Sequence, residues 1–426
     1  MKKLCSRFLF VVCLLLVFTV SYAQVTANPE AWREDLRYLA TELPNRHANF
    51  YNAVSPEEFA QAVDALNATI PFKSDGEIQS GFLRLAAMAK DAHTSVSFST
   101  SNAVPFFRRF PIRVRWFKDG LYLITASYLS EASGRGGRFN YQRLLGARLV
   151  KVGEMPIEQV IQRLSQNISY ENEYWLHAQL PNFVITPEIL MDARIIEDMA
   201  RISLTFELTK GQQITIMPPI VFWSESIPWR EVSIRKELPL YRQNTNTNYW
   251  YKFLDDSRTL WLQYNRCRDI PENPMTNFAN EIFAVADANS ALRFVIDLRN
   301  NAGGNSEIIR PVINSLVQRP WLNQRGKVYV IIGNTTISSG LWGAIYFRNM
   351  TNAILLGEPT GGKPNSYGEV LSSLLPNSKI LFQYSTKFQA ITSGDPIALF
   401  PDVPIEIAAA DYNNNDDPVL SYILSR

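Results

Sequence analysis

Ser338, His93 and Lys363 are the residues whose types could together break an acyl bond. A hydroxyl, a base and two backbone donors aimed at an oxyanion are enough for nucleophilic catalysis. Ser338 follows an apolar strand and opens a helix whose spacing puts Trp342, Ile345, Tyr346 and Met350 on one apolar face. A serine at a helix N-terminus holds its Oγ where developing negative charge is favoured. The same position also suits a plain helix cap. The Ser339 N–H and one from the Gly303–Gly304 loop are placed to donate to an oxyanion. Two bases are open. Lys363 lies, like Ser338, on a turn after a neighbouring strand, whereas His93 sits in Lys90-Asp-Ala-His-Thr94 at a helix-to-strand junction. A lysine starts near pKa ~10.4 and must fall about three units by burial, while a histidine starts near ~6.5 and needs almost no tuning. His93 is therefore favoured, and Lys363 is the alternative. Gly357-Glu-Pro-Thr-Gly-Gly-Lys363 matches most of a phosphate-binding loop, but Pro364 replaces the hydroxyl that would bind Mg²⁺. No helix is expected after it, which excludes a nucleotide hydrolase.

These residues need a frame, and 293–363 supplies one. Phe294, Val295 and Ile296 read as a buried strand that stops at Asp297. A helix is expected over 306–317, a strand over 327–332 and another over 353–356. Strand, polar turn and helix thus repeat, with polar turns at the strand ends where α/β enzymes keep their chemistry. Upstream, Trp32, Leu36, Leu39 and Leu43 have helical spacing, and Ser55-Pro-Glu-Glu58 and Ser74-Asp-Gly-Glu77 read as helix starts. Residues 110–222 are strand-rich, with a loop at 133–137. The stretch from Gly146 to Leu164 looks like the middle of a PDZ domain, a fold that adds a peptide strand to a sheet edge. Within that region 169–199 reads as a helical insertion. After the polar linker 244–248 come a strand at 260–264 and a helix at 277–288. Strands at 370–375 and 379–384, joined by a turn, follow the central stretch.

Composition narrows the function further. The chain has 426 residues, 46% hydrophobic and 19% charged, which are globular values. Lys2, Lys3 and Arg7 precede an apolar run from Phe8 to Val20 and then Ser21-Tyr-Ala23, the pattern of a signal peptide cut after Ala23. Its removal leaves 39 of the 42 Lys and Arg against 40 Asp and Glu. A balanced charge offers no basic stripe for nucleic acid, and no stable membrane insertion is expected after signal cleavage. Cys267 alone remains, so the exported chain has no internal disulfide. His47, His93 and His177 are scattered and show no metal-binding spacing, so no metal or organic cofactor is expected.

Three separated motifs carry a family resemblance: Asp297-Leu-Arg-Asn-Asn-Ala-Gly-Gly304, Thr336-Ile-Ser-Ser339 and Gly357-Glu-Pro-Thr-Gly-Gly-Lys363. In that order they resemble the C-terminal processing (tail-specific) serine peptidases and their relatives in the tricorn core and retinoid-binding protein repeats. The resemblance puts Ser338 at the nucleophile. Lys363, 25 residues later, falls at the base of the processing peptidases, and Asp91-Ala-His-Thr94 resembles the motif whose His is the base in tricorn-like members. Tricorn-like members also use an acid shortly before a Pro-Asp pair, for which Asp395, ahead of Pro401-Asp402, is the candidate. Leu341 departs from the pattern, because processing peptidases carry Glu there. The implied chain is a multidomain α+β protein: signal peptide 1–23, N-terminal helical domain 24–105, PDZ-like β-rich domain 106–243, and an α/β peptidase core of the ClpP/crotonase-like type over 244–426. The implied activity is hydrolysis of peptide or protein substrates through an acyl-enzyme on Ser338. A catalytically silent peptide- or hydrophobic-ligand-binding protein on the same fold is the alternative.

Overall fold

Capping residues start the N-terminal helices where the sequence places them. Ser55 accepts from the Glu58 N–H (3.1 Å) while Glu58 accepts from the Ser55 N–H (2.9 Å), opening the helix Pro56–Thr69. Ser74 and Glu77 repeat the arrangement ahead of Asp75–Ala87. Each such cap contributes about 1 kcal/mol. The first helix, Pro29–Arg46, buries the four residues of its apolar stripe, Trp32, Leu36, Leu39 and Leu43. The computed structural model describes residues 25–100, 106–127, 141–209, 211–223, 226–227, 229–231 and 237–426. The signal segment 1–23 and the loop expected at 133–137 lie outside them. Among the described residues no helix is long and apolar enough to cross a membrane.

The middle of the chain forms an antiparallel sheet in the order Trp229–Glu231, Gly120–Ser127, Arg148–Val152, Leu204–Glu207, Gln213–Ile216. Ile112–Phe117 pairs with Gly120–Ser127, and Met155–Pro156 with Arg148–Val152. The helical insertion is present as Glu173–Val184 and Pro187–Asp192. It packs on the N-terminal helices, where the Asp192 carboxylate accepts from Lys73 Nζ (2.5 Å), Arg84 (2.6 Å) and Ser80 Oγ (3.0 Å). Phe183, Ile189 and Leu190 share one apolar core with Leu36, Phe82 and Leu149. Helical region and middle sheet are therefore packed as one body across position 105.

The C-terminal sheet runs Tyr249–Leu254, Thr259–Tyr264, Arg293–Asp297, Val328–Ile332, Ile354–Gly357, Val403–Pro404. Its first pair is antiparallel and all others are parallel. Strands buried on both faces read as unbroken apolar runs, which is why 294–296 and 328–332 are so legible. Phe294, Ile296, Val328 and Val330 pack with the helices Met275–Ala288, Arg310–Val317 and Ser339–Met350. Val295, Tyr329 and Ile331 pack on the opposite face with Val419 and Ile423 of Pro418–Leu424. The helix after Ser338 turns a different side inward than its spacing suggested. It buries Leu341, Ala344, Ile345 and Phe347, whereas Met350 is exposed. Two overlapping stripes exist on this helix, and the sheet takes the one with the smaller residues, which admits closer packing.

One segment crosses between the two bodies. Ser366–Leu374 and Ile380–Gln389 form a hairpin, and its second strand pairs antiparallel with Ser95–Thr100 through Val96↔Phe382. Leu375, Ile380 and Phe382 lie in the core of the N-terminal helices. Residues 366–389 thus follow the C-terminal sheet in sequence but pack with the N-terminal body. The same strand confirms that no helix follows Lys363, as the absence of a phosphate-binding loop requires.

Candidate active site

Ser338 is held in a backbone conformation that only a tightly constrained site maintains. Its φ is +56° and ψ −134°, in the left-handed region that costs a non-glycine residue on the order of 1–3 kcal/mol. Its side chain makes no capping hydrogen bond to the helix Ser339–Met350, so it is not the plain cap its position would allow. Gly303 makes the approach possible. A Cβ there would lie 2.7 Å from Ser338 Cβ and 3.0 Å from Ser338 Oγ, and its own φ is +106°.

The loop over Ser338 is fixed by Asn301, which is fully buried. Its Nδ2 donates to the Tyr264 carbonyl (2.9 Å), and its Oδ1 accepts from the Gly303 N–H (2.9 Å) and from Cys267 Sγ (3.3 Å). Burial pushes the Cys267 thiol up to about 11, so it stays protonated and can donate. The Cys267 N–H donates to the Gly303 carbonyl (2.9 Å) and the Asn305 N–H to the Cys267 carbonyl (2.8 Å), forming a bridge around Gly304. Of the expected oxyanion donors, Gly303 is therefore corrected: its N–H is already bonded to Asn301. The Gly304 and Ser339 N–H groups have no acceptor among the described residues. The Ser339 hydroxyl donates to the Gly304 carbonyl (2.7 Å) and ties the two donors together.

His93 and Ser338 line one cleft of 610 Å³, together with Trp342, Tyr367, Glu369 and Gln383. Neither ring nitrogen of His93 has a hydrogen-bond partner, so no hydrogen bond joins His93 to Ser338 in this structure. Catalytic hydrogen bonds commonly tighten only when substrate is bound. Nδ1 lies 3.7 Å from Asp91 Oδ1, which leaves Nε2 as the nitrogen turned away from the acid. Asp91 is fully buried and accepts from the His93 N–H (2.9 Å), Thr94 Oγ1 (2.6 Å), Ser385 Oγ (2.6 Å) and His47 Nε2 (3.1 Å). Burial alone would push this carboxyl up, but the hydrogen bonds from His47 and Ser385 and the adjacent His93 ring together hold it well below the usual carboxylate range. The His47 tautomer follows from its neighbours. Nδ1 accepts from the Asn49 N–H (3.0 Å), so Nε2 carries the proton that reaches Asp91.

Lys363 and Asp395 are found elsewhere. Neither lines the cleft; Lys363 Nζ pairs with Asp395 at 3.0 Å, and the Asp395 side chain is 71% exposed. The acid expected to serve His93 is thus bonded to the other expected base, and Asp91 stands beside the histidine. Leu341, where a Glu was the family pattern, is buried against the C-terminal sheet. Burial pushes Glu171 up to about 8, with the Asp91 charge adding and Lys363 opposing. Sequence reasoning assigned no role to Asp91, His47, Asn301, Ser385 or Glu171. Asp91 and Asn301 were signalled by their places inside the quoted motifs; His47 and Ser385 meet Asp91 only through tertiary structure. Among the described residues no cluster of His, Cys, Asp and Glu could hold a metal ion.

No family model matches the sequence, and no curated protein is similar to it. Solved structures are. The chain is similar to mature CPAF complexed with lactacystin, at 13% identity and a TM-score of 0.60, over 93% of this chain and 97% of that one. The tricorn protease is matched at 12% identity and a TM-score of 0.43, over 94% of this chain and 37% of that one. The photosystem II D1 C-terminal processing protease is matched at 12% identity and a TM-score of 0.37, over 90% of this chain and 94% of that one. Its structural neighbours are thus CPAF and peptidases of the C-terminal processing and tricorn kind, and what the chain shares with CPAF, end to end, is a mixed α+β fold.

Proposed function

We propose that the protein is an exported serine peptidase that hydrolyses peptide bonds through an acyl-enzyme on Ser338. The observation that carries the reading is the strained Ser338, its Oγ uncapped, beside two free backbone N–H groups and in one cleft with His93. In this reading Ser338 Oγ attacks the scissile carbonyl while His93 Nε2 takes its proton. The carbonyl oxygen becomes an oxyanion held by the Gly304 and Ser339 N–H groups. His93 then returns the proton to the leaving amine, and water, activated by the same nitrogen, releases the acid product. Asp91 orients His93 and stabilises its charged form. Lys363, paired with Asp395, holds the 358–363 loop rather than taking the proton.

The hairpin strand Ser366–Leu374 is an edge strand beginning inside the cleft, with Val370, Leu371 and Leu374 exposed. An extended substrate is proposed to lie along it as an added strand, the usual way an open edge recognises a peptide. The C-terminal region is read as a ClpP/crotonase-like core. The strand–turn–strand–helix over 148–164 supports a PDZ-like reading of the middle sheet. Export rests on the sequence of residues 1–23.

A second reading, a silent binding protein on the same fold, is favoured by the missing hydrogen bond between Ser338 and His93. Labelling with a fluorophosphonate probe separates the two. The intact protein is expected to label and Ser338→Ala is not; equal labelling of both removes the peptidase reading at this serine. On the same gel His93→Ala should abolish labelling and Lys363→Ala should retain it. The reverse pattern would restore the Ser–Lys dyad.

A further inference from the structure

Behind the loops that lead to Ser338 lies a second cavity, of 280 Å³, which shares no residue with the cleft. Its walls come from the strand Ile112–Phe117, the helix Glu173–Val184 and the loops after three parallel strands of the C-terminal sheet. Crevices at the carboxyl ends of parallel strands are where α/β sheets bind ligands.

Its charged side chains are of both signs, and Arg115 and Glu358 do not pair with each other. The Arg115 guanidinium lies over the rings of Tyr412 and Phe117 (5.2 and 5.7 Å to the centroids) and makes no ion pair or hydrogen bond among the described residues. Glu358 faces the same space and, among the described residues, accepts only from the Ile407 N–H (3.4 Å) and forms no ion pair. Burial raises its carboxyl above the usual range, and the nearby Arg115 charge partly opposes that rise. Arg299 also lines the cavity, but its guanidinium is already bonded to Asp297 (2.6 Å) and Asp417 (2.7 Å). Asn334 Oδ1 is buried with no hydrogen-bond partner. Trp116 and His177, stacked at 3.8 Å, give a flat wall. Burial pushes the His177 ring down from its ordinary value, so that wall is neutral at pH 7.

We propose that this cavity binds a small zwitterion, a free α-amino acid or dipeptide, with its carboxylate on Arg115 and its ammonium on Glu358 and Asn334 Oδ1. A simple anion would meet the Glu358 carboxylate and a simple cation the Arg115 guanidinium. A ligand carrying both charges pairs each of them, which no side chain of the cavity does. The volume lies just below the ~300–1,000 Å³ of drug-sized sites, which excludes a long peptide.

The site does not depend on Ser338 being a nucleophile, so the test uses the full chain carrying Ser338→Ala. Isothermal titration with a panel of free amino acids and dipeptides is expected to give saturable binding by at least one of them. Its N-acetylated and its amidated counterparts, each lacking one charge, should bind at least about tenfold more weakly. Arg115→Met should weaken the same ligand by a similar factor, and Glu358→Gln likewise. No saturation by any panel member up to about 10 mM, or affinity indifferent to blocking either end, overturns the proposal. The blocked ligands decide the matter on the unaltered cavity even if a cavity variant fails to fold.

Discussion

Asp91→Asn is the perturbation that most directly tests how the histidine is held. The carboxylate has one oxygen facing three side-chain donors, His47 Nε2, Thr94 Oγ1 and Ser385 Oγ, and one facing the His93 N–H. An amide keeps only one acceptor oxygen. With that oxygen on the three donors, its NH₂ opposes the His93 N–H, and one buried bond is lost at about 1–3 kcal/mol. The remaining three fall from charge-assisted to neutral strength, about 1 kcal/mol each. The sum is about 4–6 kcal/mol of folding stability, which for a chain of this size should lower the melting temperature by roughly 5–15 °C. A pH arm follows from the depressed pKa. The native carboxyl lies below its unfolded value of ~3.9, so its contribution is fully present above that pH and is lost as pH falls towards the native value. The difference between wild type and Asp91→Asn should therefore hold above ~3.9 and narrow, by about 1 kcal/mol, between there and pH 3. The assay is thermal unfolding from pH 7 to pH 3, with Asp395→Asn as the control. Asp395 belongs to an exposed pair with Lys363, for which about 0–1 kcal/mol is expected. If Asp91→Asn and Asp395→Asn melt together at pH 7, the reasoning about the buried network fails.

Two further outcomes follow from the core and the loop. Arg299→Met should destabilise by about 3–5 kcal/mol, because it strands Asp297 and Asp417 as unpaired buried carboxylates; chemical denaturation measures it, and an unchanged midpoint would contradict it. Gly303→Ala places a Cβ 2.7 Å from Ser338 Cβ at a φ of +106°, so fluorophosphonate labelling should slow by roughly 100-fold with near-UV circular dichroism unchanged, and an undiminished rate would show that Gly303 does not set the Ser338 geometry.

What was legible in the sequence was local. Ser338 and Gly304 stand in short motifs at the ends of apolar strands, and strand, turn and helix are fixed within a dozen residues of each. The two capping boxes are equally local, and both formed as written. What was not legible required distance. His47 reaches Asp91 across 44 positions and Ser385 across 294, and no periodicity encodes such meetings. Lys363 and Asp395 show the other limit of reading by motif position. Each was placed at a catalytic role by motif position, yet opposite charges on adjacent loops found each other, and the pair was invisible until the 392–402 loop was folded back.

The hairpin 366–389 explains why the site divides in this way. Ser338 belongs to the C-terminal sheet, and His93 ends the helical region that precedes Ser95–Thr100. The hairpin leaves the sheet just after Lys363, lines the cleft with Tyr367 and Glu369, and pairs its second strand with Ser95–Thr100. Gln383 on that strand donates to the His93 carbonyl (3.0 Å), and Ser385, two residues on, donates to Asp91. The segment proposed to receive an extended peptide is therefore the one that holds His93 and Asp91. A peptide added to Ser366–Leu374 would press on the strand that carries Gln383 and Ser385. His93 and Ser338 thus meet in a cleft whose two sides belong to different bodies, with the hairpin 366–389 lining it between them.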